Sequence, residues 1–156
     1  MRTKFDSQLE KLHTNLIEIS SLCKQAISFA INALIQNNVA LAHKAIDIEK
    51  SIDDMEREIE GLCLKLLLQQ QPVARDLRQI SAALKMITDM ERIGDQAADI
   101  SEIAICMSKA PYIKKLEHIQ AMAKETTVMV VESINAYVTK DIELANEASS
   151  VCVKEI

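Results

Sequence analysis

The chain has 156 residues, of which 49% are hydrophobic but only 3% aromatic, with two glycines and two prolines. Too few turn formers and aromatic residues are present for an all-β fold, so the composition points to long helices packed through aliphatic side chains. A formal net charge of −5 argues against the basic face of a nucleic-acid binder and suits cations or basic protein surfaces.

The first helix is predicted over 4–36, where Leu9, Leu12, Leu16, Ile19, Cys23, Ala26, Ala30 and Ala33 recur every three or four residues. "QNN" at 36–38 reads as a polar turn. The second helix, 39–69, carries the seam Leu41, Ala45, Ile48, Ile52, Met55, Ile59, Leu62 and Leu66. "QQQP" ends it, and Pro72 suits the first turn of a third helix over 72–108. Val73, Leu77, Ile80, Leu84 and Ile87 form that helix's seam. "SKAP" ends it, and Pro111 opens a fourth helix over 112–139. Asp141 is the expected N-cap of a fifth, 142–156. Seams of this period belong to packed antiparallel helices.

"ALIQNNVALA" at 33–42 aligns with "AYVTKDIELA" at 136–145, an offset of 103. Helices four and five therefore repeat helices one and two. The expectation is an all-α, antiparallel bundle: one complete three-helix unit in 1–109 and the incomplete start of a second in 110–156. The fifth helix reaches the end of the sequence without a cap, so the chain reads as truncated, or as completing its second unit with another copy.

"DMERIGDQAAD" at 89–99 breaks the helical pattern. Glu91, Asp95 and Asp99 are four residues apart and share one face, where like charges cost a few tenths of a kcal/mol per pair. Gly94 costs up to about 1 kcal/mol relative to alanine. The seam of the third helix extends through Glu91 and Gly94, with Asp95 and Asp99 at its edge. Helix two offers a second such pair, Glu49 and Asp53. A hairpin turn centred near residue 71 puts Glu49 level with Arg92, Asp53 with Thr88, Glu91 with Lys50 and Asp95 with Ile46. The two acidic pairs meet at one height, with Asp47, Asp54 and Asp89 nearby. Carboxylates converging from adjacent helices make oxygen-ligand metal sites in bundles. The same residues also read as a solvated face paired with Lys50, Arg57 and Arg92.

Other candidates carry less. Glu10 and His13 have the spacing of ferritin-type iron ligands, but only one such pair exists. His43 and His118 read as surface residues, and Met86, Met90, Met107, Met122 and Met129 as core filler. Cys23, Cys63, Cys106 and Cys152 lie about forty residues apart with no C-x-x-C, so they read as buried reduced thiols and not as a zinc site. There is no nucleophile with a neighbouring histidine and no glycine-rich phosphate loop. No catalytic constellation emerges. "MRTKFDSQLEKLH" has no apolar signal core, and no stretch approaches the roughly 20 apolar residues of a membrane span. A cytoplasmic protein is expected.

"PVARDLRQISAALKMITDMERIGDQAADI" at 72–100 resembles the PhoU family of phosphate-transport regulators. The matching elements are Pro72, Ala74, Asp76, Leu77 and Arg78, and the E-R-I-G-D run from Glu91 to Asp95. The Glu49/Asp53 pair matches the family's other acidic motif. The resemblance implies a cytoplasmic, non-enzymatic protein of two related three-helix bundles that represses the phosphate-starvation response. It implies as partners the ATPase subunit of the phosphate transporter and a sensor histidine kinase. It also implies a bound metal (iron, zinc, manganese or magnesium) at Glu49, Asp53, Glu91, Asp95 and, less directly, Asp99. At the offset of 103, Glu49 maps to Cys152 and Asp53 to Ile156, so the second metal motif is absent and one site is expected. An uncovered second-bundle surface favours homo-oligomers. A ferritin-like metal-storage or redox protein is the alternative.

Overall fold

The computed structural model describes residues 2–70, 72–113 and 115–154. Its regular elements are five helices: α1 Arg2–Gln36, α2 Val39–Gln70, α3 Ala74–Met107, α4 Glu117–Thr139 and α5 Ile142–Lys154. α1, α2 and α3 pack against one another, α4 lies on α1, and α5 folds back on α4. Residues 155 and 156 of the expected fifth helix lie outside the described residues, as does the side chain of Cys152.

The core follows the predicted seams. Leu12, Leu16, Ile19, Cys23, Ala26 and Ala30 of α1 meet Ala45, Ile52, Ile59, Cys63 and Leu66 of α2 and Ile80, Ala83, Ile87 and Met90 of α3. α4 adds Ile134 to the same cluster. Polar links fix the pairing: Glu58 of α2 accepts from Asn15 at 3.3 Å and pairs with Lys11 at 3.1 Å. These hydrogen bonds hold the Glu58 carboxyl below its usual pKa.

The two turns aligned in the sequence close in the same way. Asn37 and Lys140, 103 residues apart, both adopt left-handed backbone at φ 53° and 60°. The next residue in each turn donates its N–H back to a helix carbonyl, Asn38 to Ala33 at 2.9 Å and Asp141 to Ala136 at 3.0 Å. These are Schellman closures. The same residues then cap the following helix: Asn38 Oδ1 accepts from Leu41 N–H at 3.3 Å, and Asp141 Oδ1 from Leu144 N–H at 3.0 Å. Asp141 is thus the N-cap expected from the sequence.

Several expectations need correction. α4 begins at Glu117, not 112. Tyr112 and Leu116 pack instead on a small cluster of Ala33, Leu34, Ala42 and Ala104 at the end of the bundle. Leu116, the residue before α4, offers no side-chain cap, and Lys115 in a first helical turn would oppose the helix dipole. Val73 and Leu77 are exposed, because α3 enters the core only at Ile80. Met107 and Met122 are exposed and do not fill the core; Cys106 is exposed while Cys23 and Cys63 are buried. Burial pushes the Cys23 thiol up to about 12 and the Cys63 thiol up to about 11, so both stay protonated. His43 and His118 are exposed as expected.

Candidate metal centre

The α2–α3 hairpin sets this region, and its register differs from the expected one. Gly94 faces Ile52, where a turn centred at residue 71 would put it opposite residue 47 or 48. Two causes account for the displacement. α2 runs to Gln70 and α3 starts at Ala74, which centres the turn one residue later. Helical side chains also lean toward their own N-terminus, so the residues that touch lie about one position C-terminal to the level they cover. In an antiparallel pair both shifts add.

At Gly94 the backbone of α3 lies directly against an α2 side chain. A Cβ there would lie 3.0 Å from Ile52 Cδ1 and 3.3 Å from Ile52 Cγ2. Ile52 is fully buried, so the glycine makes room for a core side chain. Ile52 is preceded on its helix by Glu49 and followed by Asp53, and Gly94 is followed by Asp95. Seating Ile52 against Gly94 therefore brings carboxylates from both helices together.

One carboxylate oxygen from each of Glu49, Asp53 and Asp95 lies within 4.8 Å of the others. Glu49 and Asp53 are half-buried and Asp95 is exposed. Glu91, also expected as a ligand, is half-buried and not one of these three, though close enough that Asp95 and Asp53 act on its charge. Asp99 is exposed, one turn beyond Asp95, and does not join the cluster. The sequence reading missed Glu56, half-buried and within the field of Glu60, Glu91 and Asp53. Its signal was present: Glu49, Asp53, Glu56 and Glu60 form one continuous stripe at helical spacing.

The electrostatics show groups that repel. The Glu49 carboxyl is raised above its usual range, first by partial burial, then by Asp53 and Asp95, with Lys50 opposing. Glu91 is raised by partial burial and then by Asp95 and Asp53. The bases named for a solvated face mostly turn elsewhere. Lys50 pairs with Asp47 at 3.5 Å and Arg92 with Asp89 at 3.9 Å. Arg57 divides itself between Asp54 at 3.4 Å and Asp53 at 3.7 Å. Among the described residues no base lies within 4.0 Å of Glu49, Glu91 or Asp95. The donor set consists of hard carboxylate oxygens with one side open to water, which suits magnesium, manganese or ferrous and ferric iron better than zinc with its nitrogen and sulfur preference.

His13 does not extend this site. Its ring packs edge-on against Tyr137 of α4 at 6.1 Å between centroids, and Glu10 is exposed. The paired histidine–carboxylate ligands of a ferritin-type centre are not assembled among the described residues.

The family model for the PhoU domain matches residues 16–104, a span that contains both acidic motifs. The chain is similar to a phosphate-specific transport system accessory protein PhoU homolog of Clostridium acetobutylicum, 34% identical over 99% of this chain and 69% of the relative. A homolog of the same name from Aquifex aeolicus is 34% identical over 92% of this chain and 65% of the relative. The crystal structure of PhoU from Pseudomonas aeruginosa superposes with a TM-score of 0.87 at 30% identity, covering 92% of this chain and 69% of that one. The chain thus spans about two thirds of the length of these relatives.

Proposed function

The chain belongs to the PhoU family, and from that membership we propose that it regulates phosphate uptake as an accessory protein of a phosphate-specific transporter. The relatives are named as accessory proteins of such a system, not as enzymes, and the proposed role is one of contact, not catalysis. In the finer reading the protein is a cytoplasmic adaptor. It contacts the transporter's ATPase subunit and a sensor histidine kinase and holds the phosphate-starvation response down. No helix among the described residues is long and apolar enough to cross a membrane.

The single observation that supports this reading best is the match across 16–104, with Glu49, Asp53 and Asp95 converging inside it. A cation bound by these three, with Glu91 beside them, offsets their repulsion and fixes α2 against α3. Metal binding to the folded state alone stabilises it by mass action, so the ion would set the rigidity of the surface presented to the partners. Assembly of two copies through the α4–α5 side belongs to the same proposal.

The test is capture of the transporter ATPase and the sensor kinase by the tagged full chain, with and without chelator. The proposal expects both partners to be retained and retention to fall with chelator. Failure to retain the ATPase under either condition contradicts it.

A further inference from the structure

A second polar cluster lies at the other end of α4, away from the carboxylates. Among the described helices α4 packs closely on α1 and α5, and α5 on α4. The α4–α5 hairpin is therefore a lever lying on α1 and connected in sequence to α3 by residues 108–116. Tyr137 sits twenty residues along α4, about 30 Å from that connection at the rise of an α-helix. Its hydroxyl donates to the Gln79 carbonyl oxygen of α3 at 2.6 Å. Its ring meets the His13 ring of α1 at an interplanar angle of 88°. Tyr137 thus ties the C-terminal end of α4 to two helices of the core, one turn beyond Ile134, which is buried in the same core.

His13 Nε2 is buried without a hydrogen-bond partner, and so is Gln79 Oε1. A neutral imidazole leaves one polar atom unpaired there; an imidazolium would bury a charge and a further donor. The charged and titratable groups around the ring are Glu10 of α1, Lys140 at the end of α4 and the Tyr137 phenol, with the Cys63 thiol of α2 acting on that phenol. From α3 the uncharged Gln79 meets the Tyr137 hydroxyl through its backbone carbonyl.

We propose that His13 and Tyr137 form an acid-released latch: a proton taken up by the His13 imidazole frees the C-terminal end of α4, with α5, from α1 and α3. The sign follows from burial. Desolvation, helped by Lys140 and opposed by Glu10, holds His13 below its ordinary value of 6.5. The released state therefore binds the proton more tightly than the latched one. The latch is at full strength above that ordinary value and weakens as pH falls below it toward the latched value.

Hydrogen exchange of the full chain at about pH 7.5 and about pH 5.5, corrected for intrinsic rates, tests this. Opening of the last turns of α4 and of α5 should rise toward tenfold at the lower pH, the limit for a released imidazole of ordinary pKa. Exchange in α1–α3 should stay put. His13→Phe should open α4 to the same degree at both pH values. Tyr137→Phe keeps the ring but removes the bond to Gln79, and should raise opening at both pH values while keeping the response to acid. The latch is overturned if wild-type α4 exchanges equally at both pH values, or if α1–α3 open by the same factor. A pH response that survives in His13→Phe also overturns it. So does tighter protection at low pH, which would mean that the imidazolium finds an acceptor such as Gln79 Oε1.

Discussion

Gly94→Ala and Gly61→Ala are the same substitution inside two neighbouring helices, and the structure predicts opposite outcomes. Neither glycine has a positive φ, so alanine brings no backbone strain at either place. A methyl added at Gly61 would meet nothing within 4 Å. Alanine there should stabilise the protein by about 1 kcal/mol through helix propensity and a less flexible unfolded chain. At Gly94 the same gain of about 1 kcal/mol competes with a methyl 3.0 Å from Ile52 Cδ1 and 3.3 Å from Cγ2. Ile52 is β-branched and fully buried, so its Cγ2 is held and its Cδ1 can move only against packed neighbours, and overpacking of this kind costs about 1–3 kcal/mol. The net is a loss of up to about 2 kcal/mol. Urea denaturation of both variants measures it. Because the helices must part, Gly94→Ala should also weaken manganese binding, while Gly61→Ala leaves it alone. Ile52→Val removes Cδ1 and should recover part of the loss in the double variant. A Gly94→Ala protein about 1 kcal/mol more stable than wild type, with unchanged manganese affinity, refutes the close-approach argument.

Glu49→Gln should raise the unfolding temperature in chelator and lower it in excess manganese, because the same carboxylate repels its neighbours when alone and binds when a cation is present. In chelator the folded Glu49 carboxyl sits above its usual 4.5. Its contribution to stability is full below that pH and is lost as pH rises through the higher folded value. Wild type should therefore lose stability on that limb, and the Gln variant should lose less. A variant with the wild-type slope contradicts the assignment. Asp141→Ala removes the cap that receives Leu144 N–H and should cost about 1 kcal/mol of helix stability. Hydrogen exchange should show faster opening of α5, and unchanged exchange would show that the cap carries nothing. Ile19→Ala, at a fully buried position of α1, should cost about 2–5 kcal/mol in the same denaturation assay. A loss under about 1 kcal/mol would mean that this part of the core is loosely packed.

Helix order, both polar turns and the seams of α1 and α2 were legible because they rest on local chemistry: the spacing of aliphatic residues and Asp141 as a cap. Pro72 does not open α3, which starts at Ala74 behind Val73. The two turns aligned in the sequence share their closing hydrogen bonds, Ala33/Asn38 and Ala136/Asp141. What failed depends on which surface is covered. Met107, Met122 and Cys106 have helical spacing and apolar chemistry, yet face solvent, since periodicity gives a stripe but not its partner. The convergence of Glu49, Asp53 and Asp95 was foreseen although the register was displaced by about a turn, because acids repeated at four-residue intervals on both helices tolerate that shift. Asp99 lies at the end of such a row and falls outside. The Tyr137–His13–Gln79 contact could not be read from sequence. It joins α1, α3 and α4 across large separations, and His13 drew notice only for its spacing from Glu10.

Calorimetric titration of manganese into chelator-stripped protein tests the central claim most directly. Wild type should bind one ion per chain at the carboxylates joining α2 and α3, and the double variant Asp53→Asn/Asp95→Asn should remain helical and bind none. Equal binding by both proteins, or none by wild type, would contradict the account.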